Sequence, residues 1–363
     1  MRDKFSPMRP IKSAQLKQTR FPRVAIALRL AGFLLLLPGH LLSAQNVPIV
    51  SGAVGFFDSK NTGINFFQPV FAPVVVAPLG KHFLAESRFD LRGFYARKNG
   101  NSGPYQGTYI GSTQYLQLDY FATDKLTITG GRFLTPFGTY NERLTAIWIP
   151  KLQDGPLIFP IGTRTTGSSN GAMVRGALIA KPAFHLNYIG YFSASSNAAQ
   201  FQAGRAAGYR FDAYFPNKRV EVGTSYGRFL QGTHNNSSGA HFWWLPYRFP
   251  LEVRSEYAHG AHAQGYWIES TYRLSQWGGP DSLFGRLEPV FRMQQTFRNS
   301  PGPGDGLPAA DTKQADFGLD YHLPHEVRLN TSYSRKLSAT GNGNIWDISL
   351  TYRFLFPMWR GHQ

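Results

Sequence analysis

Five cations gather in and beside the longest connection of the chain: Arg132, Arg143, Lys151, Arg164 and Arg175, with Glu142 and Asp154 as the acids among them. A guanidinium holds an oxyanion through two parallel N–H···O bonds, and several such groups along a water-filled passage favour anions. Arg175 is the first candidate to line such a passage, since it alternates with the apolar Val174 and Leu178. Arg143 and Arg164 come next. Other chemistry has less support. There is no cysteine, which removes disulfides, thiolate metal sites and lipid attachment at a cleavage-site cysteine. No nucleophile elbow, a serine on a strand-to-helix turn between glycines, is read in the chain. Gly302, Gly304 and Gly306, interleaved with Pro301 and Pro303, are loop punctuation with no helix after them to bind phosphate. His234, His241, His259 and His262 lie in or beside loops, and the His259-Gly260-Ala261-His262 spacing lacks ordered carboxylate or thiolate partners for a metal. Glu252 and Glu256 share a strand face with Arg254 and read as charge pairing rather than as a catalytic pair. The expectation is a protein that is not an enzyme and carries no metal or cofactor.

The scaffold for these charges begins with a targeting segment. Residues 1–29 hold eight cations against one acid, Asp3; the apolar run Leu30 to Leu37, then Pro38-Gly39 and the small pair Ser43-Ala44 follow. This order predicts a cleaved signal peptide over 1–44, with Met8 as an alternative start. The apolar run is far shorter than the roughly 20 residues needed to span a bilayer. Removing the leader's +7 (eight minus one) from the total of +17 leaves +10 on the mature chain. For an exported chain, that balance points to anionic solutes or lipopolysaccharide and away from nucleic acid. No long uninterrupted apolar window follows Ala44, so a helical membrane span is not expected.

Residues 45–363 read as one domain of hairpins. In 347–354, Ile348, Leu350, Tyr352 and Phe354 oppose Asp347, Ser349, Thr351 and Arg353; in 219–226, Val220, Val222 and Tyr226 oppose Arg219, Glu221 and Ser225. Segments of this kind recur near 48–57, 67–77, 81–97, 107–121, 125–134, 171–180, 183–193 and 206–215, then near 219–230, 239–247, 251–259, 264–274, 284–296, 313–322, 326–336 and 344–356. Connections alternate between tight (Lys181-Pro182, Pro216-Asn217-Lys218) and long or Gly-rich (135–170, 194–205, 297–312). Aromatic residues make 15% of the chain and gather near segment ends, as at Phe242-Trp243-Trp244. Together these features predict an all-β transmembrane antiparallel barrel of about 16 strands, in the bacterial outer membrane, with 135–170 as its third external loop. A barrel of that size leaves a water-filled lumen. The expected function is a porin passing small hydrophilic solutes, anions among them, by diffusion. The alternative is a closed barrel acting as adhesin or enzyme without channel activity.

The run Gly130-Gly131-Arg132-Phe133-Leu134-Thr135-Pro136-Phe137-Gly138-Thr139-Tyr140-Asn141-Glu142-Arg143 resembles the Gly-rich strand and Pro-Phe-Gly turn of the phosphate-selective porin O and P superfamily. Leu157, Gly171 to Gly176, and earlier Gly80 to Glu86 fit the same pattern. The likeness is diffuse over 49–356 and sharp near 115–180. It implies a passive or solute-selective channel assembled as a homotrimer. Phosphate selectivity in that group uses a ladder of arginines and a ring of lysines, for which Arg132, Arg143, Lys151, Arg164 and Arg175 are the positions available here.

Overall fold

Alternating polarity produces strands here, and the faces are inverted relative to a soluble sheet. A computed structural model describes residues 47–61, 63–97, 102–159, 167–232, 234–300 and 305–358. The signal-peptide reading over 1–44 and Arg164 therefore lie outside the described residues. Sixteen strands are present: β1 Ile49–Asn61, β2 Ile64–Leu79, β3 Phe83–Arg97, β4 Tyr105–Thr123, β5 Leu126–Leu134, β6 Ser168–Lys181, β7 Phe184–Ala194 and β8 Ala206–Phe215. They continue as β9 Val220–Phe229, β10 Asn236–Trp244, β11 Leu251–His259, β12 Ala263–Tyr272, β13 Leu287–Arg298, β14 Thr312–His322, β15 Val327–Ser338 and β16 Gly343–Pro357. Each pairs antiparallel with its neighbours in sequence, and β1 pairs with β16 from Ile49↔Pro357 to Asn61↔Ile345, closing the barrel.

Closure leaves no row of unpaired backbone N–H and C=O groups, a necessity where no water is available. On β14, Gln314 and Asp316 are buried while Phe317 is 54% exposed; on β16, Ser349 and Thr351 are buried while Trp346, Ile348 and Leu350 are exposed. The polar rows point inward and the apolar rows outward. Such a surface is stable only in hydrocarbon, so the chain is a transmembrane β-barrel and not a soluble sandwich.

Three boundaries differ from the sequence reading. β1 and β2 reach to Asn61 and from Ile64, so the first hairpin is taller and its connection shorter than the pattern indicates. β6 begins at Ser168, where Leu134↔Ser168 pairing resumes the sheet before Gly171. The connection from β12 to β13 is long despite lying at the tight-turn end, because Leu274–Trp277 forms a short helical turn there.

A charge at the middle of the outward face discriminates the two solvents. Phe317→Arg should lower the unfolding free energy in lipid vesicles by about 2–4 kcal/mol, read from tryptophan fluorescence in a urea titration. A neutral or stabilising effect would mean that this face meets water.

Candidate functional site: a loop pinned across the lumen

The loop leaving β5 does not stay at the rim. From Thr135 to Phe159 it runs inside the barrel, and three groups of contacts tie it to the wall.

The first is built on the Pro136-Phe137-Gly138 turn. Gly138 adopts φ +63°, a left-handed conformation that favours glycine. A Cβ at this position would stand 2.9 Å from a carboxylate oxygen of Glu256. The turn aims three consecutive N–H groups at the wall: that of Gly138 donates to Ser225 Oγ at 3.0 Å, and those of Thr139 and Tyr140 donate to Glu256 Oε1, the latter at 2.8 Å. The Thr139 hydroxyl donates to the same oxygen. Glu256, on β11, is almost fully buried, so these donors replace its lost hydration. Arg210 of β8 completes the latch, donating to Gly138 O at 2.8 Å and pairing with Glu142 and Asp212.

Behind the turn, the π-helical segment Tyr140–Leu144 sets an apolar face on the wall. Phe137, Tyr140, Leu144, Ile158 and Phe159 pack with Ala258, Ala263 and Trp267. Burial pushes the Tyr140 phenol up to about 12, against the opposing pull of Arg292, so it remains neutral.

The second group is polar. Lys151 Nζ lies 2.8 Å from Glu288 Oε1, and His322 Nε2 lies 2.6 Å from Glu288 Oε2. Arg328 and Asn330 of β15 donate to the carbonyls of Pro150 and Lys151, and Leu157 N donates to Gln294 Oε1 at 2.7 Å. The third group reaches the opposite side. Ile147 packs with Ala53, Phe57, Val70 and Ala72, and Arg88 Nη2 donates to Thr145 Oγ1 at 2.9 Å.

Under the loop the wall carries a belt of alternating charge. Strand register places Arg254 opposite Glu269, Glu269 opposite Arg292, and Arg292 opposite Asp316. Arg254 Nε meets Glu269 at 2.9 Å, and Arg292 Nε meets Asp316 at 2.8 Å. Every member is no more than 4% exposed, and each depends on its neighbours for compensation.

The sequence candidates therefore occupy different places from one another. Arg175 does face the lumen, 3.0 Å from Asp119 on β4. Arg143 is bound to Glu221 and, at 3.6 Å, to Asp212. Lys151 is an anchor to Glu288. Arg132 stands apart: its Nε donates to Thr113 O at 2.6 Å, its Nη1 to Asn170 Oδ1 at 2.9 Å, and it lines the lumenal cavity. Several readings change. Glu256 does not pair with Arg254 but receives the loop backbone, whereas Arg254 pairs with Glu269 and Glu252. His241 is not beside a loop; it is buried on the inner wall, with Nε2 3.4 Å from both Asp212 and Glu221. The run Gly223-Thr224-Ser225-Tyr226-Gly227 has the spacing of a nucleophile elbow, yet it lies within β9 and Ser225 is a buried partner of Gly138. Glu86, Arg88, Asp90 and Arg92 on β3 add an inward row outside those candidates, and charges at every second position are its legible sign. The pairing of Thr139 with Glu256 spans 117 residues and has no local sign.

Loop and outer wall leave a cavity of about 1340 Å³. Salmonella typhi OmpF in complex with daunomycin superposes with a TM-score of 0.60 at 13% identity, covering 86% of this chain and 99% of that one. The fold is that of the outer-membrane porins. Pseudomonas putida OprB at high pH gives 0.56 at 11% identity over 85% and 94%. An anion-selective porin from Comamonas acidovorans gives 0.53 at 10% identity over 84% and 99%. No protein-family model matches the chain. No curated protein matches it either. At these identities the porin fold is what is shared.

The latch makes a direct prediction. In the folded protein, Arg143 and Lys151 should resist trypsin. Glu256→Ala strands the turn's donors, and cleavage at these two sites should accelerate by about a hundredfold, as a loss of roughly 3 kcal/mol of anchoring implies. Gly138→Ala should act in the same direction, and Glu256→Gln, which keeps an acceptor, more weakly.

Proposed function

We propose that the protein is an outer-membrane porin, a water-filled channel through which small hydrophilic solutes diffuse, with the loop from Thr135 to Phe159 as its constriction. The observation that supports this reading is a closed barrel of sixteen strands whose longest connection is fastened inside it beside a cavity lined by polar and apolar side chains. Sixteen strands exceed what side chains can fill. The outward aromatic rows would meet outer-membrane lipid and lipopolysaccharide, and a homotrimer is the assembly that the resemblance to the phosphate-selective porins implies.

The same geometry argues for weak charge selectivity. Arg143, Lys151 and Arg175 are each held by a carboxylate, so they present little free positive field to a passing ion. An arginine ladder for phosphate would require these carboxylates to give way. Arg132, bound to carbonyl and amide oxygens, is the cation through which an anion preference would act. The alternative, a closed barrel serving as adhesin or enzyme, predicts no conductance.

Residues 45–363, refolded and reconstituted in a planar bilayer under a KCl gradient, should give stable steps with a reversal potential slightly on the anion side. Arg132→Ala should move that potential toward cations, whereas Arg175→Ala, which frees Asp119, should move it further. Absence of steps from a folded, heat-modifiable barrel would sink the porin reading.

A further inference from the structure

We propose that the cavity selects neutral, polyhydroxylated ring solutes, of the pyranoside class, over inorganic anions; this rests on the channel reading above. The inner wall of β1 to β4 carries the argument. Phe94 and Ile110 share the inward face with Arg92, as the Arg92↔Ile110 pairing requires, and both line the cavity. They are 39% and 51% exposed. On the outer face an exposed ring meets lipid, but here it meets lumenal water, a cost that a ligand's apolar face would offset.

Beside them stands a set of hydrogen-bonding groups held in one geometry. Arg92 Nη2 lies 3.2 Å from Asp90 Oδ2, Arg92 Nη1 donates to Gln68 Oε1 at 3.3 Å, and the guanidinium sits 6.0 Å over the Phe57 ring. All four residues line the cavity. A sugar hydroxyl both donates and accepts, and a pyranose ring has an apolar face edged by hydroxyls. Carboxylate, guanidinium and amide side by side, next to exposed apolar side chains, match both features.

Charge accounting disfavours the rival class. Elsewhere in the cavity Arg328 faces Asp320 at 3.6 Å, and Asp305 is 2.7 Å from Arg298. The two cavity charges with no ion pair among the described residues, Arg132 and Asp154, are of opposite sign. A phosphate entering here meets only a weak positive field, and every guanidinium it could grip already has an oxygen partner.

In single channels first characterised in KCl, maltotriose added to one side should depress or interrupt the open current at millimolar concentration. Sorbitol, which has hydroxyls but no ring faces, and potassium phosphate at matched ionic strength should leave it unchanged. Phe94→Ala and, independently, Gln68→Leu should each raise the maltotriose concentration for half-block by about fivefold, measured against that variant's own open current. KCl steps that maltotriose does not affect, or that phosphate blocks instead, would overturn the saccharide inference and leave the channel intact. Absence of KCl steps would defeat the channel reading itself.

Discussion

Hydrocarbon offers no partner to a backbone N–H or C=O group, and the ladder of this sheet accordingly runs unbroken around sixteen strands until β16 meets β1. Everything else follows from that closure. Alternate side chains must face lipid or the interior, so each strand exports its aromatic row and imports its charged one. The interior thus receives more ionisable groups than a core of this kind would otherwise hold. They survive there by meeting one another at fixed register, as Arg254, Glu269, Arg292 and Asp316 do across four consecutive strands.

The loop resolves a second difficulty. A lumen lined on one side by Trp267, Ala258 and Ala263 would expose apolar surface to water, and the Phe137, Tyr140 and Phe159 side chains cover it. Apolar packing alone gives little directional control. The orientation comes from the polar contacts: a glycine turn that points three N–H groups one way, an acid on β11 that receives two of them, and an arginine on β8 that holds the turn's carbonyl.

Much of this was legible in the chain. The strand number, the antiparallel order and the unusual length of the connection from β5 to β6 follow from period-two polarity and turn residues, whereas the short β1–β2 and long β12–β13 connections do not. Among the five cations, strand parity alone puts Arg175 on the row that also carries the buried Met173. What could not be read was partnership. Whether a lumenal arginine is free or bound to a carboxylate depends on residues such as Asp119, Glu221 and Glu288, which are distant in sequence and brought near only by barrel register. The destination of the Pro-Phe-Gly turn was hidden for the same reason, and Glu256 looked like a partner of Arg254 because the two are near neighbours in sequence.

The latch also orders events in time. Its parts are spread along the chain: the turn at Gly138, then Arg210, Ser225 and finally Glu256. Until β11 has taken its place, the turn has no acid to receive it, and until β13 and β15 are paired, Lys151 has nothing to hold. The loop is therefore a late arrival in assembly. The fastening of the loop thus depends on the barrel wall, and the narrowing of the passage presupposes strands β8, β9, β11, β13 and β15 already in register.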